Sequence, residues 1–254
     1  MPLPAFHRAR YPAAAAVFLV FLAGCAAGTL PSVHSETERL ATARALVAKH
    51  DYTDAITMLK TYITNNPGSN EVDHAIYLLG ECELQSKDYT AAAVDFERLI
   101  REFPESDSSG AAAFGMGEAY FGQSRPPDFD QEFTNKAVEQ WRRFQSEYPD
   151  HWRVSEAEHR IQVARMRLAT KLLNNGNLYV KLGQLGPARV YYNKVEEDYS
   201  DLPQLAYAWV GLARCDAREL RIGDAIEHLR QVETHFKGRP IADFAAHEIA
   251  RLSN

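Results

Sequence analysis

The sequence predicts an all-α protein: a solenoid of about five helix–turn–helix units, closed by a C-terminal capping helix. Three observations predict it. From Glu36 onward, apolar residues recur at helical spacing, and no stretch alternates like a half-buried strand. One pattern of small and large residues returns five times along the chain. Proline and glycine fall mostly between the periodic segments, where they end one helix and turn the chain toward the next.

The first 24 residues are predicted to be a lipoprotein signal peptide. A short basic region with His7, Arg8 and Arg10 precedes an apolar run over residues 13–23. This run is too short to cross a bilayer, which takes about 20 residues, and it suits a signal peptide. It ends in Leu22-Ala23-Gly24-Cys25, which resembles the bacterial lipobox. We therefore expect cleavage before Cys25 and acylation of this cysteine, and several acyl chains on one residue anchor a protein durably.

Residues 25–35 are predicted to be the lipidated cysteine and a short tether, because they lack any periodicity. Ala26 stands where an aspartate would favour the inner membrane, by resemblance to enterobacterial sorting. The sequence thus favours an outer-membrane location for the folded part, residues 36–254.

Composition argues against nucleic acid as a partner. The full sequence has a net charge of −6, and removal of residues 1–24, which hold two arginines and no acid, would make it −8. Binding to phosphate backbones needs a basic surface, and here the basic residues are scattered among acids. Cys82 and Cys215 lie within helical apolar patterns, so we expect buried small hydrophobes rather than a disulfide or metal ligands.

The repeated pattern predicts the second helix of each unit. It occupies residues 52–67, 89–104, 134–149, 185–200 and 222–237. Each copy places an alanine, then a large residue four positions later, then an apolar residue three positions further on, and this spacing lines one helix face. These positions are Ala55, Leu59 and Tyr62; Ala92, Phe96 and Leu99; Ala137, Trp141 and Phe144; Ala188, Tyr192 and Val195; Ala225, Leu229 and Val232.

A preceding helix completes each unit. Gly80, Gly117 and Gly176 share one register in these helices, and a glycine in mid-helix costs about 1 kcal/mol relative to alanine, which predicts close helix packing. The combined pattern is that of tetratricopeptide repeats. We place the units at about 36–69, 73–106, 110–151, 154–203 and 206–239, with a cap at 241–252.

Departures from uniform spacing are informative. The third unit contains an insertion at 124–133, and an unbroken helix is expected from about Val154 to Leu182. Ser200 stands where a closing proline, as at Pro67, is usual.

A lipobox followed directly by five such repeats resembles the outer-membrane assembly factor BamD (YfiO) family. The insertion and the segment 156–209 are similar to that family's, and the resemblance covers nearly the whole processed chain. It implies a non-catalytic scaffold of the β-barrel assembly machinery, lipid-anchored at the outer membrane and facing the periplasm. It implies docking of the C-terminal half on a BamA-type barrel protein, alongside other assembly subunits. The N-terminal repeats would receive unfolded outer-membrane proteins.

One alternative is a YbgF-like tetratricopeptide scaffold that coordinates envelope constriction, since residues 77–106 fit that family as well. The lipobox and the insertion argue against it. A lipoprotein that coordinates another envelope complex is the remaining alternative.

In a tetratricopeptide array the first helices line the concave face, where aromatic and charged side chains suit an extended peptide. The candidate peptide-binding residues are Arg44, His74, Tyr77, Glu81, Phe114, Glu118 and Phe121, with Leu40 and Val47 beside them. We expect Arg44 to pair with a terminal carboxylate. The alternative is that several of these residues pack between repeats or simply face water.

The insertion is a second candidate site, because loops on rigid scaffolds often carry contacts. Its candidate docking residues are Arg125, Asp128, Phe129 and Asp130, and the alternative is a plain spacer. In the C-terminal repeats, Tyr191, Tyr192, Trp209 and Arg214 are further docking candidates, although repeat core explains Tyr192 and Trp209 better.

Catalysis is not expected. The sequence contains no HExxH pair, nucleophile elbow, Walker loop or dinucleotide fingerprint. We therefore predict a protein that is not an enzyme and that needs neither a cofactor nor a metal.

Overall fold

The computed structural model describes residues 35–254, and the signal peptide, Cys25 and tether residues 26–34 lie outside the described residues. The described part holds eleven α-helices and no strand. They are α1 (Glu36–Ala48), α2 (Tyr52–Asn65), α3 (Val72–Gln85), α4 (Tyr89–Glu102), α5 (Ser109–Gln123), α6 (Glu132–Glu147), α7 (Val154–Lys181), α8 (Leu185–Asp198), α9 (Gln204–Arg218), α10 (Ile222–His235) and α11 (Pro240–Leu252). Each helix packs on the next in chain order, which makes the fold the predicted solenoid of helix–turn–helix repeats.

The turn inside four of the helix pairs has the same backbone conformation. One residue in each turn takes a positive φ: His50, Lys87, Gly183 and Leu220, at 60°, 63°, 74° and 61°. A left-handed residue after a helix ends it sharply and reverses the chain. In the third pair, α5 and α6, the longer insertion replaces this turn.

The repeat positions form the core. All fifteen alanine, large and apolar positions of the repeated pattern are at most 4% exposed. The predicted register is therefore confirmed: the i, i+4, i+7 face of each second helix is the face that packs.

The mid-helix glycines make room for the large residue of the partner helix. A Cβ atom at Gly80 would lie 2.6 Å from the Phe96 ring, and one at Gly176 would lie 2.6 Å from the Tyr192 ring. Real Cβ contacts essentially never come that close. These glycines are thus required by the ring that sits against them, as the shared register predicts.

The long helix α7 has 28 residues, about 42 Å at ~1.5 Å per residue. Its first half contributes Ala157, Ile161 and Ala164 to the core around Trp141. Its second half contributes Leu173 and Val180 to the core of the C-terminal units. One continuous helix thereby joins two neighbouring cores and fixes the units on either side to each other.

Cys82 and Cys215 are free and fully buried, as expected for small core hydrophobes. Burial raises the pKa of the Cys82 thiol to about 12. Over residues 35–254, no helix is both long enough and apolar enough to cross a membrane.

Candidate functional site

The first helices of successive units lie side by side, α3 against α5 and α7 against α9. This arrangement brings Tyr77 and Glu81 of α3 close to Glu118 of α5 and to Arg153 at the start of α7. All four side chains are half-buried. We call the strip formed by Tyr77, Glu81, Glu118, Phe121, Arg153 and Arg160 the concave groove.

Burial governs the acids and the phenol of the concave groove. It raises the pKa of Tyr77 to about 12, with a further contribution from the charge of Glu81. It also raises the pKa of Glu81 and of Glu118. The charge of Arg153 counteracts the shift at Glu81 only in part, and the charges of Arg160 and then Arg153 do the same at Glu118. The groove is therefore a mixed-charge surface with limited access to water, where hydrogen bonds to a ligand are stronger than on an open surface.

Arg153 is held in place from two sides. Its guanidinium lies 3.7 Å above the centre of the Phe114 ring. It also makes a two-pronged hydrogen bond to Glu156, with distances of 2.9 Å and 3.3 Å. Stacking on an aromatic ring and a forked carboxylate contact are the two arrangements that suit arginine best, so this cation occupies a fixed position beside Glu81.

Two further arginines follow Arg153 along α7 at seven-residue spacing. Arg160 pairs with Glu118, with 3.0 Å between Nε and Oε1. Arg167 lies 4.4 Å from the centre of the Phe121 ring and donates a hydrogen bond to the Ser124 hydroxyl. Seven residues are close to two helical turns, about 10.5 Å, so one face of α7 presents a basic side chain to α5 at each step.

Sequence reasoning missed these arginines, although the spacing of 153, 160 and 167 was visible. They were hidden because Glu156 and Glu158 stand between Arg153 and Arg160, which suggested scattered surface charge. A search for basic residues at i and i+7 on the longest predicted helix would have found them.

The structure places most of the predicted groove residues on this face. Tyr77, Glu81, Glu118 and Phe121 come together in the concave groove. His74 lies about one turn before Tyr77 on α3 and shares a hydrogen bond of 2.8 Å with the Ser108 hydroxyl. Val47 is partly buried against the core of the first units.

Arg44 lies on α1 and is exposed. Its guanidinium is already paired with Glu71, with 2.6 Å between Nη2 and Oε2. Both side chains are about half exposed, and such surface pairs contribute only about 0–1 kcal/mol.

Two expected groove residues are in the core instead. Phe114 is completely buried, with its ring centre 5.6 Å from that of Phe144, and Arg153 covers the side that faces the groove. Leu40 is 4% exposed and packs against the first two units. The prediction that these two side chains point outward is wrong. The helix α5 is buried on several sides, and Leu40 lies with Ala43 on the buried face of α1.

The insertion after α5 is an ordered loop. The side-chain amide of Gln131 donates to the carbonyl oxygens of Pro126, at 2.9 Å, and of Phe129, at 3.1 Å. Asp128 accepts hydrogen bonds from Lys171 and Asn174 of α7, at 2.7 Å and 2.6 Å.

These bonds hold the loop against α7 and leave its tip exposed. Arg125 lies 4.0 Å above the ring of Phe129, which is 46% exposed, and Asp130 is exposed as well. The loop therefore presents one aromatic and one cation on a fixed base.

In the C-terminal units, Tyr192 and Trp209 are core residues, which confirms the preferred interpretation. Trp209 donates a hydrogen bond of 2.9 Å to Glu196. Tyr191 is stacked on Tyr179, with ring centres 5.5 Å apart. Among the described residues, no group of three or more histidines, cysteines or acids is arranged to hold a metal ion.

Comparison with known proteins identifies the family of this chain. The sequence pattern of the outer membrane lipoprotein family YfiO matches residues 81–213, just over half of the chain and most of the concave groove. The chain belongs to the YfiO family. A tetratricopeptide-repeat family also matches residues 40–107 of this YfiO-family chain. The protein is therefore a tetratricopeptide scaffold or adaptor, of a family found at the outer membrane.

Several solved tetratricopeptide structures are similar to the YfiO-family chain at low identity. A tetratricopeptide-repeat protein of Parabacteroides merdae is 14% identical, over 86% of this chain and 73% of that one, with a TM-score of 0.38. A thermophilic repeat protein of Thermus thermophilus is 18% identical, over 84% and 98%, also with a TM-score of 0.38. The TPR2AB domain of yeast Sti1 is 13% identical, over 85% and 96%, with a TM-score of 0.39. At such scores these likenesses say nothing about what the chain binds. No curated protein matches the chain.

Proposed function

We propose that this chain is a non-catalytic scaffold of the outer-membrane β-barrel assembly machinery. It docks on a BamA-type barrel protein and receives unfolded outer-membrane proteins for folding and insertion. The observation that carries the proposal is the concave groove, because it lies largely inside the segment that matches the YfiO family. The same match favours this role over the YbgF-like alternative.

The groove suits an extended polypeptide. Tyr77 offers apolar ring surface with a hydroxyl at its end, a combination that is enriched where proteins bind peptides. Glu81 and Glu118 accept backbone N–H groups, and Arg153 and Arg160 supply donors for carbonyl or carboxylate oxygens. Acids on α3 and α5 face arginines on α7, so the surface carries both signs of charge. It therefore suits the polar backbone of a bound chain more than a segment with a single sign of charge.

Arg44 is proposed to receive the terminal carboxylate of the bound segment. Its present partner, Glu71, is half exposed, so exchanging this ion pair for another costs little. The aromatic last residue of the segment would then point toward α3 and Tyr77.

The lipid anchor determines where the groove works. We propose that Cys25 carries the lipid on the periplasmic face of the outer membrane. Ten residues, 26–35, separate it from α1, and ten extended residues span at most about 35 Å. The first units are thereby confined close to the membrane, where unfolded barrel proteins arrive.

The insertion loop and the C-terminal half are proposed to carry the contacts to the assembly partner. The loop is preorganised by Asp128 and Gln131, and a contact surface that is already ordered loses less entropy on binding. Phe129 and Arg125 at its tip are residue types that are enriched at protein interfaces.

Replacing Tyr77 with alanine is expected to weaken binding of a barrel segment by about 5–30-fold, the effect of losing an interface tyrosine worth ~1–2 kcal/mol. The probe is a fluorescein-labelled peptide that copies the last strand of an outer-membrane barrel and ends in phenylalanine. Fluorescence polarisation with the processed, lipidated chain in detergent measures the affinity.

Tyr77→Phe is the matched variant, because it keeps the ring and removes only the hydroxyl. Val94→Ala, on the exposed side of α4, is the control for an unrelated surface change. Equal affinities for wild type and Tyr77→Ala, with the helical circular dichroism intact, would reject the groove as the receiving site.

A further inference from the structure

An open pocket lies in the C-terminal part of the solenoid, between α9 and α11 and beside the end of α7. It encloses about 190 Å³. Its lining residues are Asn177, Tyr207, Val210, Arg214, Ile241 and Phe244. We call it the C-terminal pocket. No part of it belongs to the concave groove or to the insertion loop.

The walls of the C-terminal pocket are two aromatic side chains that the fold leaves in solvent. Tyr207 of α9 is 56% exposed, and Phe244 of α11 is 39% exposed. Neither ring takes part in the aromatic contacts that fill the neighbouring core, which centre on Trp209. Exposed apolar surface rimmed by polar groups marks a binding surface more often than surface scattered singly.

The charge at the C-terminal pocket is positive, in a protein whose net charge is negative. Arg214 is exposed, and within residues 35–254 it makes none of the ion pairs that hold its neighbours. Arg251 is paired with Glu248 at 2.7 Å, and Arg218 donates to the carbonyl oxygen of Val180 at 2.6 Å. Glu248 lies nearby, and the charge of Arg214 contributes, after Arg251, to the lowered pKa of its carboxyl group. Because Arg251 already holds that carboxylate, the hydrogen-bond donors of the Arg214 guanidinium remain for a ligand.

Asn177 adds a polar group on the opposite side of the C-terminal pocket. Its side-chain oxygen accepts a hydrogen bond of 2.9 Å from Tyr192. Its amide N–H groups are therefore donors for a ligand's carbonyl oxygen.

We propose that the C-terminal pocket binds an extended protein segment that carries an aromatic and an acidic side chain two residues apart. Val210 and Arg214 are one turn apart on α9, about 6 Å along the helix axis. Side chains at i and i+2 of an extended strand are about 6.6 Å apart and point to the same side. The aromatic ring enters between Tyr207 and Phe244 over Val210, and the carboxylate meets Arg214.

A second depression continues the surface. It encloses about 30 Å³ and shares Val210, Arg214 and Phe244 with the C-terminal pocket. From there it extends toward Arg251 and Leu252 at the end of α11. A bound segment therefore has a path beyond the acidic residue. The C-terminal pocket lies in the half of the chain to which the proposed function assigns partner contacts, and in that respect the inference rests on the proposed function. It does not depend on barrel substrates.

The test uses three fluorescein-labelled peptides with capped ends, in which Phe-Gly-Asp, Phe-Gly-Lys or Ala-Gly-Asp stands within a Gly/Ser sequence. A fourth peptide ends in Phe with a free carboxylate. Polarisation is measured with the processed, lipidated chain. We expect the Phe-Gly-Asp peptide to bind at least about tenfold more tightly than the Phe-Gly-Lys and Ala-Gly-Asp peptides. The fourth peptide suits the concave groove, so its affinity should not change when the C-terminal pocket is altered.

Arg214→Glu is expected to weaken binding of the Phe-Gly-Asp peptide by at least about tenfold and to reverse the preference in favour of Phe-Gly-Lys. Arg230→Glu, an exposed arginine of α10 outside the pocket, is the matched control and should leave both affinities unchanged. Phe244→Ala should weaken binding of the Phe-Gly-Asp and Phe-Gly-Lys peptides. Arg214→Glu should not change the affinity of the barrel peptide for the Tyr77 groove, so the two sites fail independently.

Three results would overturn the proposal. One is no binding of the Phe-Gly-Asp peptide at concentrations up to about 1 mM, which means a binding free energy weaker than about −4 kcal/mol. Another is equal binding of the Asp and Lys peptides. The third is an unchanged preference in Arg214→Glu, a surface variant whose folding is checked by circular dichroism.

Discussion

Replacing Asp216 with asparagine is expected to lower the free energy of unfolding by about 3–5 kcal/mol, the range for breaking a buried ion pair. The Asp216 side chain is only 2% exposed. It lies 2.8 Å from Arg189 of α8, 2.7 Å from Arg221 and 3.0 Å from His228 of α10. Asparagine keeps the volume but removes the charge, so that cations gathered from neighbouring helices lose their common partner.

The same carboxylate gives the stability a dependence on pH. Burial alone would raise the pKa of Asp216, but hydrogen bonds from Arg221 and the charge of Arg189 outweigh it and lower the pKa below its ordinary value. A carboxyl group with a lowered pKa in the folded state stabilises above its unfolded pKa of about 3.9, and this contribution is lost as the pH falls further. The difference between wild type and Asp216→Asn should therefore be full at pH 7 and shrink below about pH 4.

Urea unfolding followed by circular dichroism, at pH 7 and below about pH 4, measures the difference in stability between wild type and Asp216→Asn. Asp224→Asn is the matched control, because its carboxylate is 64% exposed and 3.4 Å from Arg221. It should change the stability by less than about 0.5 kcal/mol. If the two variants lose the same free energy, or if the loss at Asp216 is independent of pH, the network is not what joins α8, α9 and α10.

Replacing Phe114 with alanine is also expected to cost about 3–5 kcal/mol, the usual loss for a buried phenylalanine. The ring is completely buried against Phe144 and Trp141, and Arg153 rests on its outer side. Truncation leaves a cavity in the third unit and withdraws the support of Arg153. The concave groove should therefore bind peptide less tightly even where the protein remains folded.

Phe129→Ala is the control for Phe114→Ala, since that ring is 46% exposed on the insertion loop. It should cost less than about 1 kcal/mol, as surface substitutions do. Thermal and urea unfolding compare the two. A loss below about 1 kcal/mol at Phe114 would mean that this side chain is not a core residue.

The repeat register was predictable because the spacing of apolar residues within each second helix specifies which face is buried. In "YTAAAVDFERLIREFP", Ala92, Phe96 and Leu99 follow the helical period, and all three are fully buried. The left-handed turn residues followed no such pattern. Leu220 adopts a positive φ while it is 84% exposed, and the propensity of leucine gives no hint of it.

The site was predictable only in part, for two physical reasons. The helix α5 is rich in glycine and alanine and is buried on nearly every side, so helical spacing could not tell that Phe114 faces inward whereas Glu118 stays on the groove. The charge partners are remote in sequence: Glu118 meets Arg160, and Asp216 meets Arg189. In the sequence, an acid of an amphipathic helix suggests a solvent-exposed side chain, because its basic partner lies on a neighbouring helix that only the fold brings close.

The most direct test of the central proposal is purification of the full-length, tagged chain from detergent-solubilised native membranes, with identification of the proteins that remain bound. A scaffold of the barrel assembly machinery should retain a BamA-type barrel protein, together with other assembly subunits. A Cys25→Ala variant, which cannot be lipidated there, should be lost from the outer-membrane fraction. Recovery of envelope-constriction proteins in place of a BamA-type protein would contradict the account and favour a YbgF-like scaffold.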